Sequence, residues 1–135
     1  MSEPDIETFM KRGWVMTGSD GSGGHPRKYG TYSRKLREYV YNRRTITLPF
    51  MIRASTSLAA ETFGFRERGL VREGYFADLI VFDERSVTDK STYEQPQLLA
   101  EGMRWVLVNG TLAVDEGRLT DALGGRVLRG PGVGR

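Results

Sequence analysis

Trp14-Val15-Met16-Thr17-Gly18-Ser19-Asp20-Gly21-Ser22-Gly23-Gly24-His25-Pro26 is the stretch whose reading decides the fold: three apolar residues, then a carboxylate on a glycine-rich loop. Trp14, Val15 and Met16 suit a buried strand, and the glycines behind them end it and let the backbone approach whatever lies beyond. In barrels of alternating strands and helices, chemistry gathers at the carboxyl ends of the strands, where side chains converge on one open face. Asp20 would stand at such an end, displayed and not packed. An Asp-Gly pair after a strand is also a common turn former, and on spacing alone the turn is the commoner meaning. A nucleotide loop is excluded. Pro26 falls where a G-x-G-x-x-G run from Gly21 needs its last glycine, and no Gly-Lys-Ser/Thr follows.

On the N-terminal side, Ser2 reads as a helix cap, Pro4 and Asp5 suit a first turn, and Ile6, Phe9 and Met10 recur at helical spacing until Gly13. On the C-terminal side, Leu36, Tyr39 and Val40 predict an amphipathic helix from Ser33 to about Arg44, with charged residues on its other face. Thr47-Leu48-Pro49 predicts another helix start, with Leu48, Met51 and Ile52 on one face. A short helix from Leu58 to Phe63, capped by Ser57 and closed by Gly64, completes this half.

Near Arg66 the composition turns to strands. Ala77-Asp78-Leu79-Ile80-Val81-Phe82-Asp83 is β-rich, and Val106 to Val114 reads as two strands around an Asn109-Gly110 hairpin turn, with Asp115-Glu116-Gly117 as the next turn. Asp78 and Asp83 bracket a strand and could be mistaken for a catalytic pair; turn and strand-end roles fit them better. Trp14 and Trp105 read as packing anchors.

Composition narrows the function classes. The formal charge of +3 comes from 20 Lys and Arg against 17 Asp and Glu, interleaved except at Arg34-Lys35-Leu36-Arg37 and Arg43-Arg44. Those runs read as a solvated helix face, and no aromatic platform accompanies them, so nucleic acid is not an expected partner. With no cysteine there is no disulfide framework and no thiolate ligand, and the single His25 cannot build an imidazole metal site. In a turn between Gly24 and Pro26, it reads as an orienting hydrogen-bond partner or a merely exposed residue more readily than as a metal ligand. No apolar run suits a membrane span or a signal peptide, which gives the expectation of a cytoplasmic protein without a membrane partner.

Taken together, Met1-Ser2-Glu3-Pro4-Asp5-Ile6 with Phe9-Met10, Trp14 to Gly21, and His25-Pro26-Arg27-Lys28-Tyr29-Gly30-Thr31 resemble the last barrel segment of the D-aminoacylases. These are N-acyl-D-amino-acid deacylases of the metal-dependent amidohydrolase superfamily. Arg68-Gly69, Glu73-Gly74, Ala77-Asp78-Leu79 and Val108-Asn109-Gly110 resemble the small β-sandwich domain that accompanies many amidohydrolase barrels, and Arg126-Val127-Leu128-Arg129 resembles the deacylase ending. The turn at Thr120 to Gly125 departs from the family's tighter one.

The resemblance implies an α/β fold: the last strand and helices of an amidohydrolase (β/α)8 barrel over residues 1–66, the C-terminal part of a small β-sandwich domain over 67–129, and a disordered tail at 130–135. It implies a zinc-dependent hydrolase of N-acyl-D-amino acids, in which zinc polarises the amide and activates water. Asp20 matches the aspartate that takes up the proton and passes it to the leaving amine; it is also a weak candidate for contact with the metal. The main zinc ligands and the substrate pocket are expected outside this chain, so the chain alone should be inactive. A complementary N-terminal barrel chain or self-association would then cover its apolar faces. The alternative is a non-catalytic α+β remnant or protein-interaction module.

Overall fold

In the computed structural model, which describes residues 2–130, the chain opens with helix α1 (Glu3–Met10). The Asp5 carboxylate accepts hydrogen bonds from the Ser2 hydroxyl (2.7 Å) and the Ser2 N–H (3.1 Å), fixing the chain's entry into the helix. Those bonds hold Asp5 below the usual carboxylate range.

Helix α2 (Arg27–Arg34) starts directly after Pro26, well before the Ser33 start that the apolar spacing predicts, and runs unbroken into a π-helical segment, Lys35–Asn42. There the Arg43 N–H reaches back five residues to the Glu38 carbonyl (2.9 Å). The wider turn places positions i, i+1, i+4 and i+5 on one face, so Lys35 is buried together with Leu36, Tyr39 and Val40. Helix α3 (Leu48–Ser55) begins as expected, with the Thr47 hydroxyl accepting from the Phe50 N–H (3.4 Å) and Pro49 in the first turn. Its predicted inward face is split: Met51 is buried and Ile52 is exposed. Helix α4 (Ser57–Phe63) ends at Gly64, whose φ of 66° is the left-handed closure glycine permits.

The second half is an antiparallel sheet in the order β1-β2-β3-β4, formed by β1 (Leu79–Phe82), β2 (Met103–Val108), β3 (Thr111–Asp115) and β4 (Arg118–Leu119). Positive φ at both Asn109 (51°) and Gly110 (79°) is what a tight two-residue hairpin demands, and Glu116 (45°) and Gly117 (82°) repeat it before β4. Asp78 and Asp83 have the structural roles expected of them. Asp78 accepts from the Asn109 N–H (2.8 Å) and pairs with Arg68, whose guanidinium also meets Asn109 Oδ1 and lies 4.3 Å from the Phe76 ring centroid. Asp83 accepts from the Arg85 N–H (2.9 Å) and the Ser86 hydroxyl (3.1 Å), which lowers its pKa.

One core joins the halves. Leu36, Tyr39, Val40 and Met51 from the helices, with Ile46 from the bend before α3, close on Val87, which is 0% exposed, with Phe82 and Met103 of the sheet against the same cluster. Arg37 ties the turn carrying Val87 to the π-helical segment: Nε donates to the Val87 carbonyl (2.8 Å), and Nη2 donates to those of Glu84 (3.0 Å) and Arg85 (2.9 Å). The architecture is therefore a mixed α/β fold with a small antiparallel sheet.

The buried strand expected at Trp14–Met16 does not form. Trp14 is 70% exposed, residues 15–22 have no strand pairing, and the segment is held by bonds from Val15 N–H to the Arg12 carbonyl (3.0 Å) and Thr17 N–H to the Ala54 carbonyl (2.8 Å). A strand exists through its neighbour's amides and carbonyls, and among the described residues every strand lies between 79 and 119. The tail expected to be disordered lies, from residue 131, outside the described residues.

Gly102 has a φ of 81°, and a Cβ there would collide with the backbone nitrogen of Val87. Gly102→Ala is expected to cost at least about 1–3 kcal/mol from the backbone conformation alone, before the displacement of Val87 is added. Urea unfolding should show the midpoint falling at unchanged slope; a midpoint within error of the parent would contradict this account of the junction.

Candidate functional site

The loop bearing Asp20 is anchored at Thr17. Besides its backbone bond to Ala54, the Thr17 carbonyl accepts from the Tyr32 hydroxyl (3.3 Å), and Thr17 Oγ1 accepts from Lys35 Nζ (2.7 Å). The Thr17 and Ser55 hydroxyls lie 2.9 Å apart, and Ser55 also reaches the Met51 carbonyl at 2.9 Å. Each hydroxyl has one proton to give. With that of Ser55 on the carbonyl and that of Thr17 on Ser55, a Thr17 lone pair is left for the ammonium. Burial pushes the Lys35 pKa down from its ordinary value.

Three residues beyond this anchor, Asp20 adopts a φ of 45°, a left-handed conformation that aspartate tolerates better than most residues. Its side chain is 86% exposed, and its carboxylate meets Arg27 Nη2 at 2.8 Å. An ion pair this open orients the two groups more than it stabilises the fold. Arg27 sits in the first turn of α2, also approaches the Ser22 hydroxyl (3.4 Å), and keeps a buried Nε with no hydrogen-bond partner among the described residues. His25 uses both ring nitrogens: Nδ1 accepts from the Arg27 N–H (3.1 Å), and Nε2 lies 3.3 Å from the Tyr93 hydroxyl, the rings meeting edge to face. Of the two readings its place in the turn allows, the hydrogen-bonding one is found.

Beside these residues is a cavity of about 380 Å³ lined by His25, Arg27, Arg34, Asp89, Ser91 and Tyr93, among others. Ser91 donates to the Pro26 carbonyl (2.9 Å), and Arg34 pairs with Asp89 (3.4 Å), so the segment after β1 forms one wall and one face of α2, from Arg27 to Arg34, the other. Asp20 is outside the wall and joins it through Arg27. Sequence spacing gave no sign of Arg27 and Tyr93 as site residues, because Tyr93 lies far along the chain and arrives only through the packing of the 89–95 segment.

A structural zinc requires four converging donors, a catalytic one three. Among the described residues no three His, Cys, Asp or Glu side chains gather to hold a metal ion; Asp20 faces a guanidinium, and both nitrogens of His25 are engaged. These residues do not fit a zinc centre of their own.

Residues 2–114 match the amidohydrolase family, and the chain belongs to it. The chain is similar to the D-aminoacylase of Alcaligenes xylosoxydans xylosoxydans, with 39% identity over 132 residues that make up 95% of this chain and 27% of that protein. A crystal structure of D-aminoacylase superposes with a TM-score of 0.85 at 38% identity, covering 90% of this chain and 27% of that one. The N-acyl-D-glutamate deacylase of Bordetella bronchiseptica, solved with zinc and a phosphonate mimic of the tetrahedral intermediate, superposes with a TM-score of 0.80 at 36% identity, over 88% of this chain and 27% of that one. The chain spans about a quarter of the length of these relatives.

Lys35 gives the site's anchor a pH signature. Its folded pKa lies below the ordinary lysine value of 10.5, so between the two values the unfolded chain binds more protons. The destabilisation from burying the ammonium is present in full below the folded value and disappears as pH rises toward 10.5. Tyr39 acts oppositely, because burial raises its pKa and stability falls as pH climbs past the ordinary tyrosine value. Lys35→Met is therefore expected to be more stable than the parent at pH 7, with the gap narrowing toward pH 10. Denaturation of both proteins at the two pH values checks this; a constant gap would contradict it.

Proposed function

We propose that this chain is the C-terminal segment of a zinc-dependent N-acyl-D-amino-acid deacylase. In this reading residues 1–66 are the last strand and helices of a (β/α)8 barrel, 67–129 the C-terminal part of its small β-sandwich domain, and 130–135 a tail. The observation that carries it is the 39% identity to a D-aminoacylase sustained over 95% of the chain, Asp20 loop included. With no strand partner among the described residues, the segment before Asp20 would find its sheet neighbours in other sequence. That sequence, in the same polypeptide or in a complementary chain, also supplies the metal donors.

Asp20 exchanges protons at the scissile amide, accepting one from the attacking water and returning it to the leaving amine. An exposed carboxylate suits that task, because it can reach into a cleft closed by another element while Arg27 orients it. An N-acyl-D-amino acid also carries a free carboxylate, and Arg27, with an unused Nε donor and a place in the cavity wall, is the cation positioned to receive it. A second reading, a non-catalytic interaction module, draws on the exposed apolar side chains, Trp14, Val71 and Leu123 among them.

Asp20→Asn and Asp78→Asn, each in the assembled enzyme, distinguish the readings. Asp20→Asn keeps the shape and removes the basic oxygen, so turnover should fall by about 100-fold to 10,000-fold with metal content unchanged. Asp78→Asn weakens the Arg68 junction and should lower stability while leaving turnover per folded molecule intact. Equal turnover in the two variants would remove Asp20 from the mechanism.

A further inference from the structure

The N–H groups in the first turn of a helix lack acceptors within that helix, and a polar side chain just ahead of it ordinarily supplies one. Pro26, the residue before α2, has no such side chain, and His25 takes its place: Nδ1 accepts from the Arg27 N–H at 3.1 Å. That contact settles the tautomer. In a neutral imidazole one nitrogen accepts and the other carries the proton, so Nε2–H faces the Tyr93 hydroxyl, 3.3 Å away, as donor. The second nitrogen adds what an asparagine cap could not, a tie from the helix start to a residue 68 positions along the chain.

That tie is reinforced on either side. Ser91 holds the Pro26 carbonyl (2.9 Å), Arg34 pairs with Asp89 (3.4 Å), and buried Gly30 lets α2 and the 89–91 segment close, since a Cβ there would lie 2.5 Å from Ser91 Oγ. The backbone of Arg27 is thereby fixed, and its guanidinium, 2.8 Å from Asp20, extends from a defined position. We infer that His25 is a positioning residue for recognition of the substrate's free carboxylate: it holds Arg27 in place to receive that group, and Tyr93 sets the imidazole. The inference rests on the deacylase reading and deepens it, because preference for an N-acyl amino acid over its neutral amide then depends on a side chain one bond removed from the binding cation.

Turnover of N-acetyl-D-leucine, N-acetyl-D-glutamate and N-acetyl-D-lysine by the assembled enzyme, each beside its α-carboxamide, tests this. Displacing Arg27 lowers kcat/KM for the acid more than for the amide, which offers the guanidinium no charge at that position. His25→Ala should reduce the acid-to-amide ratio by about tenfold or more. His25→Asn, whose Oδ1 can accept from the same N–H, should restore the ratio to within roughly threefold of the parent. Tyr93→Phe should lower it by about threefold to tenfold. In the 135-residue chain the nitrogen NMR spectrum has a single imidazole to show, and the neutral ring should carry its proton on Nε2. A proton on Nδ1, an equal fall for acid and amide in His25→Ala, no recovery in His25→Asn or an unchanged ratio in Tyr93→Phe would overturn the inference and leave the deacylase reading standing. Absence of turnover of all three acids by the assembled parent would remove both.

Discussion

The contact on which the rest of the structure depends is the guanidinium of Arg37 spread over the carbonyls of Glu84, Arg85 and Val87. The three carbonyls accept from one planar cation, whose several N–H groups let a single side chain hold the whole turn. With the turn fixed, Val87 is driven into the centre of the core and Phe82 and Met103 follow, so the sheet and the helices share one apolar cluster. Gly102 permits the closeness, since its missing Cβ leaves room for the Val87 backbone.

The π-helical register has a comparable reach. By widening the turn it moves Lys35 onto the buried face, where an amphipathic α-helix would have left it nearer solvent. There the ammonium meets Thr17, and Thr17 meets Ser55 of α3, so a polar chain inside the helical half fixes the root of the Asp20 loop. The loop itself is open: a rigid root, a glycine-rich span and an exposed carboxylate leaning on Arg27. That is a suitable form for a catalytic group whose remaining partners come from other sequence, because the carboxylate is oriented without being enclosed.

Local chemistry was legible in the sequence. The α1 start at Ser2, the Thr47-Leu48-Pro49 helix start, the Gly64 closure and the Asn109-Gly110 hairpin each depend on one or two residues whose backbone or capping preferences act at short range, and each is found where the sequence puts it. The resemblance to D-aminoacylases was legible too, and with it the attention on Asp20. The status of Trp14–Met16 was not, since apolar residues propose a strand and only a neighbouring strand can complete one. Nor were the early start of α2, the π register that buries Lys35, the Arg37 junction and the meeting of His25 with Tyr93. These join residues distant in the chain or change where a helix starts and which register it keeps, and periodicity carries no information about which distant partner will be present. The sequence by itself determined the elements and the candidate carboxylate; the tertiary structure decided which side chains stand beside it, because that depends on how buried faces pack and not on the preference of any one residue.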